Sequence, residues 1–334
     1  MKRITGVMLF LLLMIATAAG CTSNTTKREK SADGSITFKI GHASSETVPA
    51  AHGLARFEEL VEEKSGGKIN VEVYNNGQLG GESDYMVNCQ LGVLDMAIVN
   101  QSILSSFFKD ITAVDLPYII ESYEHADRVF GGETGEYYRR EIFEKTGVQT
   151  LDIWEVGFRN LTNDKKAVNS IEDVKGLKIR TMDNKAHQAF WKELGVDPVP
   201  MSWNEAYTAM QQGAIDGQEN PLSIILGNNV AEVNKELAIT EHVYSSVFFL
   251  MSGSAWNALN EEEQNIMMEC AKEAGFYERE VQRAQAEDAL SQLEEKGMKV
   301  TTPEKDAFME KSKSFQAEYG KEYADIMKMI EDAR

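Results

Sequence analysis

The chain has 334 residues, 43% of them hydrophobic, and a formal charge of −19. An acidic balance of that size argues against a nucleic-acid ligand and against direct binding to anionic lipid, so any anion site must be a local basic pocket. Three cysteines make no disulfide framework, and Cys89 and Cys270, both in helix-like sequence, are expected as buried free thiols.

Lys2 and Arg3 precede an apolar run from Ile4 to Ala16 that is too short for an ordinary membrane span. Residues 1–20 therefore read as a signal peptide outside the fold. Ala18-Ala19-Gly20-Cys21 resembles a bacterial lipoprotein cleavage box, although Ala18 stands where leucine is usual. On that reading Cys21 is acylated and residues 21–35 form a polar tether; the alternative is ordinary cleavage, with Cys21 a bystander. Removal of Lys2 and Arg3 takes the charge from −19 to −21. No second apolar stretch is long enough to span a bilayer, so membrane attachment is expected only through the anchor.

In the remaining sequence, Ile36, Phe38 and Ile40 alternate with polar residues as in a strand. A helix follows from about Pro49 to Lys64, opened by the proline and stopped by Gly66-Gly67. Ile69 to Val73 gives a second strand, Glu82 to Leu91 a helix, and Leu94 to Val99 a third strand. This alternation marks a sheet with covering helices, whose ligands sit beyond the carboxyl ends of the strands. His42, Gly80–Glu82 and Asn100 fall at those ends.

A second block repeats the architecture without repeating the sequence. After acidic helices from Ser122 to Lys145, a strand over Val148–Ile153 is closed by Trp154, expected as a hinge or core residue. Leu177–Thr181 reads as strand, Lys185–Leu194 as helix and Asp197–Pro200 as a short strand. Ser202, with Glu205 at capping-box spacing, opens another helix, and a further strand starts near Ala214–Gly217. Phe248–Met251 returns to strand, and Asn260 with Glu263 opens the longest helix, which runs to Lys296. At about 36 residues it is on the order of 50 Å long, more than one lobe can cover. A coiled-coil arm is one reading; a brace lying across two facing lobes is preferred. Met298–Thr302 and a final helix from about Glu304 complete the chain.

No catalytic signature stands out: there is no G-x-S-x-G elbow, P-loop, H-E-x-x-H or calcium loop. The five histidines lack metal spacing, so neither metal nor cofactor is expected, and 53 acidic residues make any one carboxylate pair uninformative. The binding features cluster instead in three phrases, GFRNLTN (157–163), GLKIR (176–180) and DGQENP (216–221). They set Arg159, Arg180 and Asn220 at the ends of apolar runs. An arginine's planar fork matches a carboxylate with two parallel hydrogen bonds, as a lysine cannot. Trp203 lies beside them and can flank a ligand or pack in the core, while His242 is either a donor or a surface histidine.

Those phrases, with NNGQLGG (75–81), LPYII (116–120) and P-x-S-x-x-E-x-Y (200–207), resemble the DctP-like substrate-binding proteins of TRAP transporters from about residue 36 onward. The resemblance implies an α/β, two-lobed fold of the type II periplasmic-binding-protein kind, with a long helix spanning both lobes. Lobe I is expected over 36–156 plus about 246–285, and lobe II over 157–245 plus about 286–334. It implies an extracytoplasmic receptor, periplasmic or on the outer face of the membrane, that is not an enzyme and hands an organic acid to TRAP permease subunits. Arg180 matches the principal carboxylate-binding arginine, Arg159 a second, Asn220 a supporting asparagine and Trp203 an aromatic wall. Asp183 and His242 fall at positions that line the pocket in some members, and His42 and Asn100 face them from the first lobe. Sialic-acid receptors differ around Val99–Gln101 and at Ile103, whereas GFRNLTN after Trp154 is more like members that take sugar acids such as hexuronates. C4-dicarboxylates and other hydroxy or keto acids stay open, as do a binding protein of an ATP-driven importer and a secreted enzyme on acidic sugars.

Overall fold

The computed structural model describes residues 30–334 apart from Asp33; the signal segment and Cys21 lie outside the described residues, as does most of the expected tether. The first half runs β1 (Ile36–Gly41), α1 (Pro49–Ser65), β2 (Ile69–Tyr74), α2 (Glu82–Leu91), β3 (Met96–Asn100), α3 (Gln101–Leu104), α4 (Tyr123–Gly131) and α5 (Glu133–Thr146). Next come β4 (Val148–Asn163), β5 (Lys178–Thr181), α6 (Lys185–Glu193), β6 (Asp197–Pro200), α7 (Trp203–Gln211), β7 (Gly217–Pro221), α8 (Leu222–Gly227) and β8 (Glu236–Ala238). The chain ends with β9 (Tyr244–Ser252), α9 (Gly253–Trp256), α10 (Glu261–Glu295), β10 (Lys299–Thr301), α11 (Lys305–Tyr319) and α12 (Ala324–Asp332).

The strands form one mixed sheet in the order β2-β1-β3-β9-β4-β7-β5-β6, with β8 beside β4 and β10 beside β8. β4 joins its two halves: its first part pairs antiparallel with β9 and its second with β7 and β8. Sequence reading ends this strand at Trp154, but it continues to Asn163 as 16 residues. Register shifts between Thr150 and Asp152 and between Glu155 and Gly157 let so long a strand bend. Gly157 adopts φ +101°, where a side chain would strain the backbone and meet Gln282 Nε2 at 3.0 Å. The acidic helices expected after Ser122 are α4 and α5, parted at Gly132, whereas the expected single final helix is broken at Gly320.

α10 is a brace rather than a free arm, since it packs on α1, β4 and α8. Its start is fixed as the sequence predicts: Glu263 N–H donates to Asn260 Oδ1 at 3.0 Å, and Asn260 N–H to Glu263 Oε2 at 2.9 Å. Two glycines allow its close seat. A Cβ on Gly53 of α1 would lie 2.8 Å from Glu278 Cβ, and one on Gly275 would lie 2.4 Å from Asp152 Oδ2. Trp154, 1% exposed, packs beneath this junction and donates to Ala271 O at 3.3 Å, so it is a core residue. Cys89 and Cys270 are both free and buried, with burial raising their thiols to about 12 and about 11. Polar contacts tie the two sheet halves across the cleft between them. Ser45 Oγ and Thr47 Oγ1 donate to Gly227 O at 2.9 and 3.0 Å, and Asn184 Nδ2 donates to Asp115 Oδ2 at 2.7 Å.

Candidate ligand-binding site

At the carboxyl ends of β1 and β3, facing β5 and β7, the chain encloses a cavity of about 60 Å³. That is well above the ~15 Å³ a single buried water needs. Arg159, Arg180, Trp203 and Asn220 line one side, and His42, Glu82 and Asn100 line the other. β4 carries Arg159, β5 carries Arg180, β7 carries Asn220, and Trp203 opens α7. His42 directly follows β1, Asn100 ends β3, and Glu82 opens α2. Three sequence-distant phrases thus converge because their strands neighbour one another in the order β4-β7-β5.

The two arginines are in different electrostatic states. Arg159 is 1% exposed and grips Glu219 with one edge of its fork: Nε donates to Oε2, and Nη2 to Oε1 at 3.0 Å. Nη2 also donates to Glu219 O at 2.5 Å, and Nη1 to Ser245 Oγ at 3.4 Å. His242 closes the group, with Nε2 3.2 Å from Glu219 Oε2 and Nδ1 2.8 Å from Thr240 Oγ1. Since a carboxylate only accepts, Nε2 carries the proton and Nδ1 accepts from the threonine hydroxyl. Burial alone would raise Glu219, but the Arg159 charge and the His242 bond outweigh it and hold the carboxyl well below its usual range. Burial lowers His242 and the Glu219 bond offsets only part of that, which fits a neutral imidazole.

Arg180 is 3% exposed, yet among the described residues no carboxylate lies within salt-bridge distance of it. Its Nε donates to Met201 O at 3.0 Å, and the guanidinium carbon sits 5.5 Å from the centre of the Trp203 ring. These two contacts fix the plane of the guanidinium and leave the terminal nitrogens for another acceptor. Burial lowers Arg180 to about 10, with the Arg159 charge adding to the effect and Glu219 opposing it. It therefore stays protonated at neutral pH. A buried, protonated arginine with spare donors has the chemistry to receive an anion.

The neighbouring polar groups are held in set orientations. Burial lowers His42 to about 4, against a smaller opposing effect of its bond to Asn75, so the ring is neutral. Nδ1 lies 2.9 Å from Asn75 Oδ1 and must donate to it, which leaves Nε2 as an acceptor for a hydroxyl. Asn100 Oδ1 accepts from Ser102 N–H at 3.0 Å and its Nδ2 donates to Ser245 Oγ at 2.8 Å. Asn220 Nδ2 donates to Gln218 Oε1 at 2.5 Å, leaving its own carbonyl oxygen as an acceptor.

Two sequence-predicted residues lie elsewhere. Asp183 does not line the cavity; it borders a separate shallow pocket with Ile103, Pro200 and Ser202, and its carbonyl accepts from Ser106 Oγ at 3.3 Å. The turn between β5 and α6 carries it past the mouth. His242 is a layer behind, acting on Glu219 rather than on the cavity. Conversely, Glu278 and Gln282 line the cavity although sequence reading assigned them no role, and Glu82, which it set at the ligand-facing strand ends without naming it a contact, lines it too. Glu82 accepts from Asn100 N–H at 2.7 Å, and burial raises its carboxyl. Glu278 and Gln282 lie four residues apart, on one face of α10, a spacing that could have flagged them. Among the described residues no cluster of histidine, cysteine or carboxylate side chains could hold a metal ion. No described helix is long and apolar enough to cross a membrane.

Comparison with known proteins identifies the family. The model of the family DctP, bacterial extracellular solute-binding protein, family 7, matches residues 40–322. A solute-binding protein of Roseobacter denitrificans is 36% identical over 263 residues, covering 79% of this chain and 80% of its own. Its crystal structure, a TRAP periplasmic solute binding protein with bound L-galactonate, superposes with a TM-score of 0.84 at 34% identity, covering 88% and 98% of the two chains. A Bordetella TRAP periplasmic solute binding protein, with density assigned to pantoate, gives a TM-score of 0.86 at 33% identity over 89% and 99%. One from Citrobacter koseri with bound D-glucuronate gives 0.85 at 26% identity over 89% and 99%. All three have the two-lobed periplasmic-binding-protein architecture, and they are receptors rather than enzymes. The chain belongs to the DctP family of TRAP-transporter solute-binding proteins.

Proposed function

We propose that this chain is the extracytoplasmic receptor for a monocarboxylate sugar acid, a hexuronate such as glucuronate or galacturonate foremost, and that it delivers the acid to a TRAP permease. The observation that carries the reading is Arg180, buried without a carboxylate partner at the wall of a polar cavity. Arg159 is already neutralised by Glu219, so among the described residues lining the cavity Arg180 is the arginine left to meet a ligand carboxylate. Neutral His42 together with Asn100 and Asn220 suits hydroxyl groups on the rest of the ligand. Glu82, which lines the cavity opposite Arg180, disfavours a second carboxylate, which weighs against C4-dicarboxylates. That structural relatives hold galactonate and glucuronate supports the same class.

In this mechanism the acid enters between separated lobes, pairs with Arg180, and the opposite lobe closes over it. Water is expelled and the ion pair strengthens in the lower local dielectric. Cys21 would hold the receptor to the membrane through its lipid. The test is a thermal-shift panel of hexuronates, aldonates, hydroxy acids and dicarboxylates. A sugar acid at a thousand times its Kd is expected to add about 4 kcal/mol of stability. A response only to dicarboxylates, or to no acid, overturns the assignment.

A further inference from the structure

Glu278, on α10, is 0% exposed and lines the cavity that also holds Arg180 and Asn220. Its Oε2 accepts from Glu155 N–H at 3.2 Å, whereas Oε1 is buried with no hydrogen-bond partner. Among the described residues none of the charged groups around it makes an ion pair with it; Arg279 acts on it only at a distance. On β4, Asp152 is bound by Arg139 at 3.0 Å, and Glu155 by Arg283 at 2.9 Å. On its own helix Arg279 and Arg283 both turn to Asp127, at 3.5 and 2.8 Å. From α1, Gly53 packs against it and brings no charge. An ionised Glu278 would be a buried carboxylate without a cation, beside two further carboxylates, which costs several kcal/mol. Burial first, and then the Glu155 charge, push its pKa well above the usual carboxyl value. With Oε2 engaged as an acceptor, the proton belongs on Oε1, the oxygen that has no partner.

We propose that Glu278 is a ligand-recognition residue: as a neutral carboxylic acid it donates a hydrogen bond from Oε1 to an uncharged hydroxyl or ring oxygen of the acid held by Arg180. The identity of that acid rests on the sugar-acid reading above, but the protonation of Glu278 does not. The long helix then serves recognition as well as bracing, because it places a donor that only a ligand's oxygen can satisfy.

Infrared difference spectra of the ligand-free protein, wild type minus Glu278→Gln at neutral pH, are expected to show the carbonyl band of a protonated carboxyl. A carboxylate doublet in its place overturns the proposal, whatever the ligand. Addition of D-glucuronate, or D-galacturonate in a parallel arm, is expected to shift that carbonyl band; an unmoved band in a protein saturated with the acid overturns it. In calorimetry with the same acids, Glu278→Gln keeps a donor and is expected to bind at least about tenfold more tightly than Glu278→Met, which keeps the bulk and loses the donor. Equal affinities overturn the donor role. If neither acid binds the wild type, the sugar-acid reading falls while the infrared spectrum still decides the state of Glu278. If the methionine variant does not fold, the ligand-induced band shift decides the contact.

Discussion

Arg159 and Arg180 are both almost fully buried, yet only the removal of Arg159 should cost much stability. Arg159 holds Glu219 through two parallel hydrogen bonds, so Arg159→Ala leaves that carboxylate buried without its cation, at a cost of roughly 3–5 kcal/mol. Arg180 has no such partner, and Arg180→Ala removes a desolvated charge; the ligand-free protein should unfold no more easily than wild type, while affinity for a hexuronate falls at least about a hundredfold. Arg180→Lys should lose nearly as much affinity, because the fork is gone. Chemical denaturation alongside calorimetry checks both halves, and a ligand-free Arg180→Ala less stable than wild type by about 2 kcal/mol or more would contradict the assignment. His42 adds a pH dependence. Its folded-state pKa of about 4 lies below the ordinary 6.5, so the stability it confers is complete above pH 6.5 and is lost as pH falls towards 4. The full effect is about 3 kcal/mol, and a His42→Gln variant should lack that part of the acid profile. At this scale Arg180 was legible, since GLKIR puts an arginine at a strand end. The pairing of Arg159 with Glu219 was not, because Glu219 is 60 residues away and its role depends on β4 lying against β7.

Among the elements, α10 and β4 decide how rigidly the site is held. Gly275 sits where a Cβ would come within 2.4 Å of Asp152 Oδ2 and 2.6 Å of Trp154 Nε1. Glycine to alanine in a helix normally gains about 1 kcal/mol, but overpacking of a tight seat costs about 1–3 kcal/mol. Gly275→Ala is therefore expected to destabilise. Gly131 on α4 has open space around its Cβ position, and Gly131→Ala is expected to be neutral or stabilising. Thermal unfolding of the pair checks this: a stabilising Gly275→Ala would mean that α10 does not press on β4 as described. The long helix could be read from its apolar spacing and its Asn260–Glu263 cap, which are local signals. The continuation of β4 past Trp154 could not. It depends on bulges and on partners, β7 and β8, that the chain reaches only some 50 to 90 residues later.

For the whole molecule, the acidic surface and the anionic ligand pose a kinetic problem. The chain carries −19, and the receptor is proposed to admit an acid of the same sign. At long range the field of the protein repels its ligand, whereas at contact the buried Arg180 attracts it. Salt acts differently on these two interactions. The Debye length falls from about 30 Å at 0.01 M to about 8 Å at 0.15 M, which screens the diffuse repulsion but hardly reaches an ion pair inside a closed cavity. The association rate constant for a hexuronate should therefore rise between those ionic strengths, and the dissociation rate constant should change little. That is the reverse of the behaviour of a site that steers its ligand in, where association slows as salt is added. Stopped-flow tryptophan fluorescence is a suitable probe, because Trp203 lies at the cavity wall. An association rate that falls with salt would mean that a positive field at the mouth outweighs the net charge. An association rate independent of salt would mean that lobe closure, rather than encounter, limits capture.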